Sequence, residues 1–67
     1  MTVKINNETV SLPEGLTTLG ETLRWKGVPD GGTAVALNGR LVPRSRWDAT
    51  ALGQNDDIVV ISAAFGG

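Results

Sequence analysis

Apolar and polar positions alternate at the start of the chain. Val3 and Ile5 interleave with Thr2, Lys4 and Asn6, which predicts a half-buried strand. Asn6-Asn7 follows, and both residues tolerate the positive φ that a tight hairpin turn requires. Alternation resumes from Glu8 to Leu12, with Val10 and Leu12 apolar, so the chain opens on a β-hairpin. Pro13-Glu14-Gly15 breaks the pattern.

The period then changes. Leu19 and Leu23 lie four apart, on one face of a helix, and Leu16 is placed to staple its start. Thr18 followed by Glu21 has the form of a capping box. Gly27, Pro29 and Gly31-Gly32 end the helix by about residue 27. Gly20 inside it costs about 1 kcal/mol relative to alanine, so the helix depends on packing more than on propensity. Trp25 falls off the leucine stripe, which predicts a half-exposed ring beside the glycine-rich loop.

Thr33 to Leu37 reads as a third strand, Asn38-Gly39 as a second turn, and Arg40-Leu41-Val42 as a short return strand stopped by Pro43. Residues 44–56 read as irregular and polar, with Trp47 and Leu52 as apolar plugs and a turn at Asn55-Asp56-Asp57. Ile58 to Ser62 is the last strand. Its four successive apolar residues predict a central strand covered on both sides. One helix and four or five short strands have one compact solution. That is an α+β mixed sheet curled around the helix, with the last strand inserted beside the first, the β-grasp arrangement.

Composition narrows the function. The 67 residues make one small domain, expected over 1–62, with 63–67 as a flexible C-terminal tail. There is no Cys and no His, which removes disulfides, thiolate metal sites, and the commonest general base and metal ligand. No metal site and no catalytic side chain are expected. Six basic and seven acidic residues are scattered without runs, which argues against nucleic acid. No apolar stretch approaches a membrane span, and the N-terminus reads straight into a strand rather than a signal peptide. A cytoplasmic protein, monomeric when free, is the expectation.

The most informative feature is the end, Ala63-Ala64-Phe65-Gly66-Gly67. Glycine has no Cβ, so a Gly-Gly arm threads a slot too narrow for other residues. Gly67 also carries the free α-carboxylate. Such an arm suits a partner enzyme that modifies that carboxylate in a narrow channel. Average glycine usage makes a terminal pair about a one-in-200 chance, so the pair gains weight only from the domain behind it.

The segment Ala36 to Trp47, ALNGRLVPRSRW, resembles the A-x-N-x-x-x-V-P-R-x-x-W stretch of the ThiS-type sulfur carriers of thiamine biosynthesis. These belong to the ubiquitin-like ThiS/MoaD group. The Asn55-Asp56-Asp57-Ile58 turn is similar to theirs, with Asn-Asp where Gly-Asp is usual. The molybdopterin carriers share the fold and tail but usually lack the Val-Pro-Arg-x-x-Trp element. The resemblance covers the whole chain. It implies a carrier rather than an enzyme, with no bound cofactor. A ThiF-like adenylating enzyme would consume ATP to activate the Gly67 carboxylate. A sulfur donor would convert the adenylate to a thiocarboxylate, and a ThiG-like thiazole synthase would receive the sulfur. Open alternatives are a carrier for molybdopterin, cysteine or a secondary metabolite, a ubiquitin-like modifier of lysines, and a plain interaction module.

The resemblance also implies which residues of the last strand face inward, namely Ile58 and Val60. Val59 and Ile61 then face out, beside the small Ala36 and near the root of the tail at Phe65. Val59, Ile61 and Phe65 are the candidate partner anchor, with Gly66 and Gly67 as the reactive tail. The competing expectation is that the 44–56 loop covers the outer face, with Trp47 across it. Trp47 otherwise reads as a plug at the core edge, and Arg40, Arg44 and Arg46 as solvated charges or contacts to an acidic partner.

Overall fold

The structure, a computed structural model, describes residues 1–29 and 31–62. Strands β1 (Thr2–Ile5) and β2 (Glu8–Ser11) form the N-terminal hairpin, with Val3 opposite Val10. Its turn residues Asn6 and Asn7 have φ of 52° and 69°, the left-handed values that a two-residue hairpin needs.

Helix α1 spans Leu19–Lys26. Both halves of the capping box are present. Glu21 N–H donates to Thr18 Oγ1 at 3.2 Å, and Thr18 N–H donates to Glu21 Oε1 at 3.1 Å. Thr17 N–H donates to the same carboxylate oxygen at 2.9 Å. Gly27, at φ 85°, closes the helix with its N–H directed to the Arg24 and Leu23 carbonyls. Leu19 and Leu23 are buried, as their spacing predicts, and Trp25 is half-exposed.

Strands β3 (Thr33–Leu37), β4 (Arg40–Leu41) and β5 (Asp57–Ser62) complete a five-stranded sheet in the order β2-β1-β5-β3-β4. β5 runs parallel to β1 and antiparallel to β3, so the last strand lies beside the first. This is the β-grasp arrangement. Val3, Ile5, Leu12, Leu19, Leu23, Val35, Trp47 and Ile58 form one buried cluster between sheet and helix. Among the described residues, no helix is long and apolar enough to cross a membrane.

Three expectations need correction. Residues Arg44–Ala49 are not irregular; they form a 3-10 helix. Such a helix is too short to show a hydrophobic period, and Trp47 is its buried residue. Trp47 does not lie across the outer face of the sheet. It joins the core on the helix side, and its indole N–H donates to the Val42 carbonyl at 2.9 Å. β5 is central, but it is covered on one side only, because α1 and the 3-10 helix both pack on that side and no helix covers the other among the described residues.

Gly20 is where α1 meets the 3-10 helix. A Cβ at this position would lie 3.2 Å from the Asp48 backbone nitrogen and would strike the Asp48 carboxylate. Arg24 pairs with that carboxylate at 2.9 Å, on the surface, where an ion pair contributes little. The glycine therefore trades helix propensity for close approach. Gly20→Ala should destabilise the domain by about 1–2 kcal/mol in urea denaturation, because overpacking outweighs the roughly 1 kcal/mol gained in propensity. A stabilised variant would show that the contact is loose.

The N–H groups of Thr17, then Thr18, hold the Glu21 carboxyl below its ordinary value of 4.5. A carboxyl depressed on folding stabilises the folded state fully above its unfolded pKa. That contribution is lost as pH falls through the folded value. Wild-type urea midpoints should therefore drop more steeply below pH 4.5 than those of Glu21→Gln, which still caps but does not titrate.

Candidate functional site

The site is built on β5 and its two neighbours. Successive residues of a strand point to opposite faces. Ile58 is fully buried and Val60 half-buried against the core, whereas Val59 is 38% and Ile61 56% exposed. The anchor pair expected from the sequence thus faces outward. The register sets Ala36 opposite Val59 and Ala34 opposite Ile61 on β3. Ala36 is in turn opposite Leu41 on β4, which is 74% exposed. Leu41, Ala36 and Val59 therefore form one cross-strand row, with Ala34 and Ile61 beside it. The two alanines are too short to shield their larger neighbours.

Leu41 was not anticipated as part of this face. A two-residue strand shows no alternation, so only the pairing reveals which way Leu41 points.

Asparagine side chains fix β5 in place. β1 ends at Ile5, where it pairs with Ile58. Beyond that point the Asn6 carboxamide oxygen accepts the Val60 N–H at 2.8 Å, in the manner of a ladder bond. At the other end of β5, Asn38 Oδ1 accepts the Asp57 N–H at 2.9 Å, and Asn38 Nδ2 donates to Asp56 Oδ1 at 3.0 Å. Asn38 N–H also donates to the Asp57 carbonyl at 2.8 Å. This is why β5 begins at Asp57, one residue earlier than the sequence predicts. The two hairpin-turn asparagines thus serve twice, and turn chemistry alone signals only the first role.

The expected tail residues Phe65, Gly66 and Gly67 lie outside the described residues, as does the division of the chain at residue 62. By covalent connection they follow Ser62, which pairs with Thr33 at the start of β3. Among the described residues, no group of three or more His, Cys, Asp or Glu is placed to hold a metal ion. The face offers apolar contact and no acid–base chemistry.

Residues 2–67 match the family model described as the ThiS family. The chain belongs to the ThiS family. The fold also matches the crystal structure of a thiamine biosynthesis protein, ThiS, from Geobacter metallireducens, with a TM-score of 0.80 and 23% identity. That match covers 92% of this chain and 93% of the other. No curated protein sequence matches the chain. Membership makes this ThiS-family chain a small sulfur carrier and not an enzyme. Membership in the family points to thiamine biosynthesis, with adenylating and sulfur-transfer proteins as the kinds of partner it implies.

The burial pattern makes opposite forecasts for adjacent residues. Ile58→Asp should unfold the domain, since it buries an unpaired charge at a cost of several kcal/mol. Val59→Asp and Ile61→Asp should change urea stability by about 1 kcal/mol or less, because exposed positions tolerate substitution. Circular dichroism with urea titration distinguishes them, and unfolding of all three variants would refute the face assignment.

Proposed function

We propose that this ThiS-family chain carries sulfur as a thiocarboxylate on Gly67 and delivers it toward the thiazole ring of thiamine. The observation that carries the reading is the bare apolar face of Leu41, Val59 and Ile61, the last two on the strand that precedes the Gly-Gly tail in sequence, in a chain that matches its family through residue 67. A ThiF-like enzyme docks on that face, with Val59, Ile61 and Phe65 as anchors, and receives the tail in its active site. The fold needs no catalytic group of its own for this.

The chemistry follows from the weakness of a carboxylate as an electrophile. One carboxylate oxygen attacks the α-phosphorus of ATP, and pyrophosphate leaves. The acyl carbon of Gly67 now bears AMP, a good leaving group. A sulfide-level nucleophile from the donor attacks that carbon, the bond to the AMP oxygen breaks, and AMP departs with the electron pair. A ThiG-like thiazole synthase then takes the sulfur. ATP is consumed by the partner, and no cofactor resides on the carrier. Gly66 lets the tail pass a narrow channel, since it presents no side chain to the walls.

Deleting Gly67, or adding one residue after it, should abolish ATP–pyrophosphate exchange with the ThiF-like enzyme and leave the urea midpoint unchanged. Val59→Asp and Ile61→Asp should each weaken binding to that enzyme by about 2 kcal/mol or more, as at an interface hot spot. Intact mass of protein from cells should show one oxygen exchanged for sulfur at the terminus. Normal exchange by the tail variants would overturn the reading, and conjugates to lysine in place of the sulfur exchange would favour a modifier.

A further inference from the structure

The segment from Leu37 to Trp47 carries three arginines and no carboxylate, in a chain whose net charge is −1. As a sequence this is only a spacing of charges. The fold turns it into a surface. Arg40 and Arg46 line one open groove of about 400 Å³ at the β4 edge of the sheet, together with Leu37, Leu41, Val42 and Pro43. Among the described residues, the single ion pair is Arg24–Asp48, so neither groove arginine has a carboxylate partner there.

The walls are fixed. The Val42 N–H donates to the Val35 carbonyl at 2.9 Å, and the Val42 carbonyl is held by Trp47 Nε1. Arg46 N–H donates to the Pro43 carbonyl at 2.8 Å, and Thr50 Oγ1 donates to the Arg46 carbonyl at 2.6 Å. Backbone held in this way loses little entropy on binding and fixes the positions from which Arg40 and Arg46 extend. Leu41 belongs both to this groove and to the outer row, so a protein seated on the outer face also reaches the groove.

We propose that this groove receives an acidic segment of the adenylating partner, carrying one or more carboxylates beside an apolar residue, and that the arginines orient the carrier on that enzyme. This rests on the docking reading given under the proposed function. An isolated small anion suits the groove less well, because its floor is aliphatic and open. The net charge of the carrier gives no attraction to an acidic surface, so local charges must supply it.

The test measures binding of the intact chain to the ThiF-like enzyme by titration calorimetry. Wild-type affinity should fall tenfold or more between about 50 and 300 mM NaCl, as screening weakens exposed charge pairs. Arg40→Glu and Arg46→Glu should each weaken binding at least tenfold at low salt and flatten the salt dependence. Arg44→Glu makes the same change in net charge outside the groove lining and should cost less than about threefold. Arg40→Lys with Arg46→Lys should keep most of the affinity. Near-ultraviolet dichroism of the tryptophans confirms that each variant is folded.

Salt-independent wild-type binding overturns the proposal without any variant. So does an Arg44→Glu loss equal to that of Arg46→Glu, which would reveal a general charge effect. A concentration-dependent dimer that Arg40→Glu disrupts, with enzyme binding unchanged, would assign the groove to a second copy instead. If the wild-type chain is neither bound nor adenylated at any salt concentration, the docking reading itself falls. If it is adenylated normally and the arginine variants match it, only the groove assignment falls.

Discussion

The position of β5 between β1 and β3 is the constraint on which the rest of the molecule depends. It pairs with β1 over two residues and with β3 over five, so its hold on the first strand is short. Asn6 extends that hold to Val60, and Asn38 secures the start of the strand at Asp57. Once the strand is fixed, Ile58 enters the core and Val59 turns to solvent with no further instruction. The two faces of one strand thus differ, one packed into the core and the other apolar and bare.

Much of this was legible from residue order alone. The hairpin turns declared themselves as Asn-Asn and Asn-Gly, and all four of these residues have positive φ. The capping box at Thr18 and Glu21, the buried faces of Leu19 and Leu23, and the placement of β5 beside β1 also followed, whereas its parallel direction comes from the pairing. Other features depended on tertiary partners and left no periodic trace. The 3-10 helix at Arg44–Ala49 exists because Trp47 plugs the core and hydrogen-bonds Val42, not because its residues favour a helix. Gly20 weakens the helix by propensity, and only the approach of Asp48 gives the glycine a reason.

The site was legible to a different degree. Alternation along β5 marks a pair of outward residues, but it leaves open which pair, and likeness to ubiquitin-like chains supplied that choice. Leu41 and the basic groove were hidden, because a strand of two residues has no period and a run of spaced arginines has no shape. The Val-Pro-Arg-x-x-Trp element is the clearest case of a recognisable motif with a plain physical basis. Its tryptophan and valine are bonded to each other, and the arginine side chains project from the framework that this bond holds.

A strand that is core on one side and contact surface on the other has a consequence for chain length. Substitutions in Asp57–Ser62 can be weighed face by face, but an inserted or deleted residue cannot. One extra residue would send Ile58 outward and Val59 inward, exchanging the two faces at once, and would move every later residue by a strand step of about 3.3 Å. Size variation in this molecule must therefore collect elsewhere, at the glycine-rich connection before Thr33 or around Gly15, where a Cβ would meet nothing within 4 Å. The terminal strand serves as a ruler, and its graduation is a single residue.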